Sequence, residues 1–328
     1  MAMAHPVIDD PTLKGLKVAL DPEQVATLLE SLFGKPCTVD SIEVIKHKPG
    51  KRCALAYRVE APGGVQRLFA KTFRTERGAR IYGTMSRLAQ ATRGPELIVP
   101  RPLAYFPKPK LLFTEFLEGC PLGTPLYAGL GSEPAARAAR ALARFHATGV
   151  SFVRSWSLAQ EIDNTAAWLS HLPEKASLDA EALVTALRRL QRVATRLAPG
   201  PAGPVHRDFY LEQLWDMDGT TALLDLDDAR EGDRALDVGN FLAHLTLRGL
   251  QFPASARVCE EARPLFLETY LEQVPDARDD LPRRVLFYET TTLFRLCGVY
   301  AGRARWARRL PPVLFDTATT SLSRLEES

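Results

Sequence analysis

Three oxygen-bearing side chains in one short stretch have types and spacing that could do chemistry. Asp208 is a carboxylate, Gln213 is an amide five residues later, and Asp225 is a carboxylate near the end of an apolar run. Phosphoryl transfer needs a base or orienting group for the attacking hydroxyl, and oxygen ligands for Mg²⁺. Convergence of these three side chains on one point would meet that need.

The residues between these side chains predict a β-hairpin that would bring them together. Leu214–Met217 and Thr221–Leu226 can form two short strands, and Asp218-Gly219 between them is a two-residue turn signal. In such a hairpin Gln213 enters the first strand and Asp225 lies near the end of the second. Asp208 lies on the loop just before the hairpin, so all three groups can converge.

The same stretch resembles the aminoglycoside phosphotransferase and choline kinase family. The family pattern is H-x-D-x-x-x-x-N, then a strand that ends in I-D, then G-D-x-x-x-D. This chain has, in order, His206-Arg207-Asp208, Gln213, Leu224-Asp225, Gly232-Asp233 and Asp237. Several spaced elements agree, which makes the resemblance more specific than a three-residue match. One position departs, because Gln213 stands where the family has Asn.

The resemblance implies an α+β, two-lobed protein-kinase-like fold. A small antiparallel-sheet lobe would occupy residues 1–117 and bind nucleotide. A larger, mainly helical lobe would occupy residues 118–328 and hold the catalytic groups and the acceptor. The implied cofactors are ATP and Mg²⁺, and the implied partner is a small hydroxylated molecule.

The resemblance also implies residue roles in the second half of the chain. Asp208 would orient and deprotonate the acceptor hydroxyl, while Gln213 and Asp225 would bind Mg²⁺. The implied supporting residues are His206 and Arg207 in the loop, Asp237 below the loop, and Asp227 or Asp228 as a second acidic group.

Residues in the first third of the chain match the nucleotide-binding part of that fold. Three strands joined by tight turns are predicted at 39–47, 52–60 and 65–73, and Lys71 lies on the third. A lysine here contacts nucleotide phosphates in the resembled family, which suits its compact charge. Glu115, Phe116 and Leu117 resemble the hinge segment whose backbone binds adenine. Glu76 is the acidic candidate to pair with Lys71.

Helical periodicity and further short apolar runs predict the remaining elements. Helices are predicted at 22–33, 75–88, 133–146, 164–172, 179–197, 237–250, 254–274 and 281–309, and further strands at 97–103 and 111–116. His146, at the end of its helix, is interpreted as a buried structural histidine. The basic run of Arg303, Arg305, Arg308 and Arg309 is interpreted as a solvated helix face.

Composition favours an ordinary globular protein of the cytoplasm. The net charge of +3 does not indicate a nucleic-acid partner. The five cysteines form no C-x-x-C pair, which is typical of reduced thiols. The N-terminus lacks the pattern of a signal peptide, and no apolar run is long enough to span a bilayer. The oligomeric state stays open.

Together these features predict an ATP- and Mg²⁺-dependent small-molecule kinase, with three alternatives. A protein kinase is disfavoured because the chain lacks D-F-G and A-P-E segments. A metal-dependent hydrolase would need a second histidine or a bridging carboxylate. A non-catalytic nucleotide-binding scaffold remains open because of Gln213. The acceptor is a sugar, an aminoglycoside or a similar metabolite; the 27 acidic and 24 basic residues of 121–328 are a weakly acidic balance, which favours a sugar.

Overall fold

A computed structural model describes residues 8–61, 63–92, 94–170, 172, 178–274 and 281–327. The chain divides into two compact units. The first comprises Met1–Arg93 and Ile98–Gly119, and the second comprises Gly94–Leu97 and Cys120–Ser328. The predicted combination of an antiparallel sheet early in the chain and helices later is confirmed.

The first unit is built on an antiparallel sheet of five strands among its described residues, in the order β1-β2-β3-β5-β4. Its strands are β1 (Thr38–Lys48), β2 (Arg52–Ala61), β3 (Gly64–Phe73), β4 (Pro102–Phe106) and β5 (Leu111–Glu115). The first three match the prediction. The strand predicted at 97–103 is wrong, because β4 begins only at Pro102. Pro100 and Pro102 lack the N–H groups that a paired strand interior needs.

Helices α1 (Leu16–Ala19) and α2 (Pro22–Phe33) help to form the core against this sheet. Asp21 caps α2 by accepting hydrogen bonds from the backbone N–H groups of Glu23 and Gln24. Gly34 ends the helix with a φ of 67°. Both ends match the prediction, since local capping chemistry determines them. Helix α3 (Arg77–Ala91) lies nearer β4 and β5.

The second unit is mainly helical. Its helices are α4 (Thr124–Tyr127), α5 (Glu133–His146), α6 (Leu158–Ser170), α7 (Ala180–Ala194), α8 (Ala235–Gln251), α9 (Ala256–Gln273), α10 (Leu281–Ala301) and α11 (Leu310–Glu327). Residue 171, which belongs to the helix predicted at 164–172, lies outside the described residues. No helix within the described ranges combines the length and apolarity needed to cross a bilayer.

The end of the chain differs from the prediction. Helix α10 ends at Ala301 rather than Arg309, and Gly302 follows it. The basic run therefore lies in turns between α10 and α11, so its interpretation as a helix face is wrong. Helix α11 was not predicted. Its first turn contains Pro311 and Pro312, which are tolerated there because the first helical N–H groups have no intrahelical partner.

Two small sheets and one close contact between helices surround residues 206–237, the predicted catalytic stretch. One sheet contains β6 (Cys120–Pro121), β9 (Leu214–Met217) and β10 (Thr220–Leu223), and the other contains β7 (Ser155–Trp156), β8 (Ala202–Val205) and β11 (Arg230–Asp233). Helices α8 and α10 approach closely at Gly239. A Cβ at Gly239 would lie 2.5 Å from the backbone nitrogen of Glu289. Only glycine permits this spacing between the two backbones.

Candidate active site

The predicted catalytic stretch forms a loop and a hairpin in the second unit. Strands β9 and β10 pair across Asp218 and Gly219, which have φ values of 52° and 95° as a type I′ turn requires. The hairpin prediction is thus confirmed, with two local corrections. Gln213 ends a 3-10 helix rather than entering β9. Strand β10 ends at Leu223, and Asp225 after it has a left-handed backbone with φ 54° and ψ 52°.

Asp237 secures the loop from the first turn of α8. Its side chain has no solvent exposure. One oxygen accepts a 2.6 Å hydrogen bond from the backbone N–H of His206, and the other accepts a 2.7 Å bond from that of Arg207. The ring nitrogen Nε2 of His146 lies 3.1 Å from the first oxygen. The carboxylate therefore fixes the backbone immediately before Asp208.

His146 completes this buried network and is not exposed to the pocket. Its Nδ1 lies 2.7 Å from the Tyr270 hydroxyl, and burial lowers the pKa of the imidazole. A neutral ring then donates from Nε2 to Asp237 and accepts from Tyr270 at Nδ1. The interpretation of His146 as a buried structural histidine is confirmed.

The His206 side chain connects the loop with the segment that carries Asp225. Its Nε2 lies 2.7 Å from the carbonyl oxygen of Leu224, so this nitrogen must carry the proton. Its Nδ1 then accepts a 3.3 Å hydrogen bond from the backbone N–H of Asp208. One buried imidazole thereby couples the backbone of Asp208 to the residue before Asp225.

Asp208 itself borders a pocket of about 210 Å³. The pocket is lined by Glu161, Asn164, Trp168, Arg207, Asp208, Asp228, Leu236, Asn240, Thr292 and Arg295. These residues come from α6, the loop, the 3-10 helix Leu226–Asp228, α8 and α10. Its volume suits a small molecule, and its lining is mostly polar. Asp208 is therefore placed where a bound hydroxyl group could reach it.

Asn240 holds the other side of the loop. It lies three residues after Asp237 on α8, so the two side chains share a helix face. The Asn240 amide donates a 2.8 Å hydrogen bond to the carbonyl oxygen of Phe209 and accepts a 2.7 Å bond from Arg295. Asp237 and Asn240 thus fix the backbone on both sides of Asp208. The residue types and the three-residue spacing were visible in the sequence, but we did not single out Asn240.

A backbone hydrogen bond connects the segments that carry the two expected metal ligands. The side-chain nitrogen of Gln213 donates a 3.3 Å hydrogen bond to the Tyr210 hydroxyl. The backbone carbonyl oxygen of Gln213 accepts a 2.8 Å hydrogen bond from the backbone N–H of Leu224. Leu224 directly precedes Asp225, so this backbone bond ties the two candidate ligands together. Tyr210 stacks on His244 at a centroid distance of 4.2 Å, and burial raises the Tyr210 pKa.

The neighbouring carboxylates lie in different environments. Asp227 is 3% exposed on the short 3-10 helix, whereas the exposed Asp228 lines the pocket with Asp208. Asp233 ion-pairs with Arg284 at 3.1 Å, and burial raises its pKa. Asp233 also accepts a 3.0 Å hydrogen bond from the N–H of Ala235 at the start of α8. Asp233 therefore has a sufficient structural role.

The expected nucleotide-binding residues lie in the first unit. Lys71 is half-buried on β3, opposite Leu112 of β5. Glu115 is the last paired residue of β5, and its N–H donates a 3.0 Å hydrogen bond to the carbonyl of Arg101. The Glu115 N–H is thus already engaged, while the backbones of Phe116 and Leu117 lie beyond the paired strand.

Arg67 and the candidate Glu76 both have local partners in this unit. The guanidinium of Arg67 lies 3.7 Å from the Phe116 ring centroid. Glu76 forms a 3.1 Å ion pair with Lys110 and accepts a 3.1 Å hydrogen bond from Tyr105. The structure thus shows Glu76 paired with a lysine other than the expected one.

Comparison with known proteins identifies the class to which this fold belongs. The architecture is that of the protein-kinase-like phosphotransferases. A choline/ethanolamine kinase family protein from Mesorhizobium loti has a TM-score of 0.61 at 16% identity, over 96% of this chain and 94% of that chain. The choline kinase LicA from Streptococcus pneumoniae also has a TM-score of 0.61, at 11% identity, over 92% and 98%.

A thermostable mutant of aminoglycoside phosphotransferase APH(4)-Ia, in complex with AMP-PNP and hygromycin B, matches at 15% identity. Its TM-score is 0.54, over 92% of this chain and 96% of that chain. The model of the phosphotransferase enzyme family matches residues 50–284. The chain belongs to this family and is a phosphotransferase with an alcohol group as acceptor. No curated protein matches its sequence.

Proposed function

We propose that this protein is an ATP- and Mg²⁺-dependent kinase that transfers the γ-phosphoryl group to a hydroxyl of a small metabolite. The observation that carries the proposal is the arrangement around Asp208. The loop is fixed by Asp237 and Asn240, it is linked to the Asp225 segment through His206, and it borders a polar pocket. Such preorganisation is the main protein contribution to phosphoryl transfer.

Asp208 would accept the proton of the acceptor hydroxyl as the hydroxyl oxygen forms a bond to the γ-phosphorus of ATP. The bond between that phosphorus and the bridging oxygen would break, and ADP would leave. For this step its carboxylate must face the bound hydroxyl, and the buried partners of the loop hold it there. His206 and Asp237 act through the backbone and are positioning residues. Their hydrogen bonds need no change during the reaction, so they cost no reorganisation.

The donor set near the hairpin fits a magnesium ion better than a transition metal. No group of three or more His, Cys, Asp or Glu side chains among the described residues is arranged to hold a metal. Asp225 would supply a carboxylate and Gln213 an amide oxygen, and Mg²⁺ usually takes few protein ligands besides water and phosphate. When bound, the ion would neutralise charge on the phosphoryl group.

The first 117 residues would form the nucleotide-binding lobe, with Lys71 on phosphate and the backbone of Phe116 and Leu117 on adenine. Glu115 would contribute its carbonyl oxygen only, since its N–H is engaged. That oxygen already accepts a 3.0 Å hydrogen bond from the Thr114 hydroxyl, so its second lone pair would serve. Residues 118–328 would form the catalytic and acceptor-binding lobe. The five cysteines are free thiols, which suits the reducing cytoplasm.

The test is ADP release across a library of sugars, hydroxy acids, amino alcohols and aminoglycosides, for the wild type and an Asp208→Asn variant. We expect Asp208→Asn to lower turnover about 100-fold or more, as for loss of a general base, and to leave ATP affinity unchanged. Asp163→Asn is the matched control, because Asp163 is an exposed carboxylate on α6. An Asp208→Asn protein with near-normal turnover would contradict the proposal.

A further inference from the structure

Arg207 presents a largely buried cation at the edge of the Asp208 pocket. Its guanidinium stacks on the Trp156 ring, with its central carbon 3.4 Å from the ring centroid. Its Nε atom is buried and has no hydrogen-bond partner, and none of the described residues forms an ion pair with it. Burial lowers its pKa to about 10, so the group is still charged at neutral pH. A largely buried charge that no ion pair neutralises is costly.

A second guanidinium lines the same pocket. Arg295 on α10 donates a 2.7 Å hydrogen bond to the Asn240 side chain, and this neutral amide is the partner that the structure shows for it. The charges of Arg230 and Arg295 each help to lower the Arg207 pKa, and the carboxylates of Glu161 and Asp228 offset part of that effect by raising it. Neither pocket guanidinium is neutralised by a carboxylate in an ion pair within the described part of the chain.

The acidic side chains of the pocket have other partners or roles. Glu161 is 5% exposed, and its carboxylate accepts a 2.7 Å hydrogen bond from the Trp156 indole. Asp208 is the proposed base. Asp228 is exposed. Glu161 and Asp228 act on Arg207 electrostatically, but no described carboxylate of the pocket forms an ion pair with Arg207 or Arg295. The planar donor sets of the two guanidiniums match a carboxylate or phosphate group of a ligand.

We propose that the acceptor is an anion: a small hydroxylated molecule whose carboxylate or phosphate group binds Arg207 and Arg295 while its hydroxyl faces Asp208. The assignment of this anion as the acceptor rests on the proposed function. It points away from cationic acceptors such as choline and the aminoglycosides, because a cationic group placed against Arg207 and Arg295 would be repelled by their guanidinium charges. The phosphates of a nucleotide are the other source of anionic charge, and the experiment separates the two.

The first arm measures anion binding without turnover. Trp156 lies against Arg207 and Trp168 lines the pocket, so intrinsic tryptophan fluorescence should report occupancy. Inorganic phosphate and acetate are titrated separately at constant ionic strength with saturating AMP-PNP, to distinguish the two anionic groups and to fill a nucleotide site. We expect a saturable change for at least one of the anions. A flat response to both overturns the proposal.

The variants in this arm are Arg207→Gln, Arg295→Gln, Arg295→Lys and the control Arg144→Gln, which removes an exposed arginine of α5. Loss of a charge-assisted hydrogen bond should weaken anion binding at least about tenfold in both pocket glutamine variants. Arg295→Lys should retain part of the binding, and the control should retain all of it. Equal affinity in wild type and both pocket glutamine variants overturns the proposal.

The second arm screens ADP release with matched acceptors: glycerol against glycerate and glycerol 3-phosphate, and glucose against gluconate and glucose 6-phosphate, with choline and hygromycin B included. Preferential turnover of the anionic members, with a KM for acceptor raised at least about tenfold in Arg295→Gln and an unchanged KM for ATP, supports the proposal. Turnover confined to neutral or cationic acceptors, or an Arg295→Gln variant in which only the KM for ATP is raised, overturns the proposal of an anionic acceptor. Either result leaves the proposed kinase function unaffected. If no acceptor is turned over but anion binding still depends on the two arginines, the anion is not an acceptor and the proposed kinase function is wrong. The existence of the anion site is then still supported.

Discussion

Replacement of Asp237 by asparagine tests whether one buried carboxylate holds the catalytic loop. Asparagine can place its oxygen where Asp237 accepts from His206 and His146, at 2.6 and 3.1 Å. Its NH₂ group must then face the Arg207 N–H, which is 2.7 Å from the second carboxylate oxygen. One charge-assisted hydrogen bond is lost and one largely buried donor faces another donor.

The expected loss follows from these contacts. A hydrogen bond to a charged group contributes about 1.5–3 kcal/mol, and an unsatisfied buried donor adds to the loss, so we expect Asp237→Asn to destabilise the protein by roughly 2–4 kcal/mol. Urea unfolding followed by circular dichroism measures this as a lower midpoint at an unchanged slope. Turnover should fall as well, because the released Arg207 backbone adjoins Asp208.

Asp179→Asn is the matched control. Asp179 also accepts two backbone hydrogen bonds, each 3.2 Å long, from Glu181 and Ala182 at the start of α7. It is exposed, and asparagine is an equally good helix cap, so its stability should change by less than about 0.5 kcal/mol. If Asp237→Asn costs no more stability than Asp179→Asn, the reasoning about a buried clamp is refuted.

Four further predictions concern other elements. Lys71→Ala should weaken binding of ATP more than that of adenosine in calorimetry, and equal weakening would indicate a purely structural lysine. Gln213→Asn shortens the side chain by about 1.5 Å and should raise the Mg²⁺ concentration for half-maximal activity; activity gained from an inactive protein would instead support the non-catalytic scaffold. Burial lowers the His244 pKa from 6.5 to about 3, so the unfolded chain takes up the proton first and stability should fall from pH 6.5 towards pH 3. Urea unfolding at pH 5 and 7 measures this pH dependence, and His244→Phe should reduce it by up to about 1.4 kcal/mol per pH unit. An unchanged difference in the free energy of unfolding between the two pH values would contradict the prediction. Gly239→Ala should destabilise the protein by about 1–3 kcal/mol, since the new methyl group meets the backbone at Glu289; an unchanged urea midpoint would refute the close approach.

Features that depend on neighbours in the chain could be predicted from the sequence. The ends of α2 and the turn of the β9–β10 hairpin follow from Asp21, Gly34 and Asp218-Gly219, because caps and turns are determined by local hydrogen bonds and backbone preferences. The spacing from Asp208 to Asp237 likewise identified the loop. The early end of β10 could not be predicted, since the left-handed backbone at Asp225 is unusual for a residue with a side chain.

The sequence by itself determined which residues we propose for the chemistry, namely a carboxylate for the hydroxyl and oxygen ligands for a metal, and it determined the order of the supporting elements. Only the tertiary structure decided which distant groups share the pocket. Arg295 reaches Asn240, 55 residues earlier, because α8 and α10 pack closely at Gly239. Arg207 is a largely buried cation that stacks on Trp156 and forms no ion pair within the described part of the chain. Burial and packing arise from contacts remote in sequence, so residue spacing alone does not reveal them.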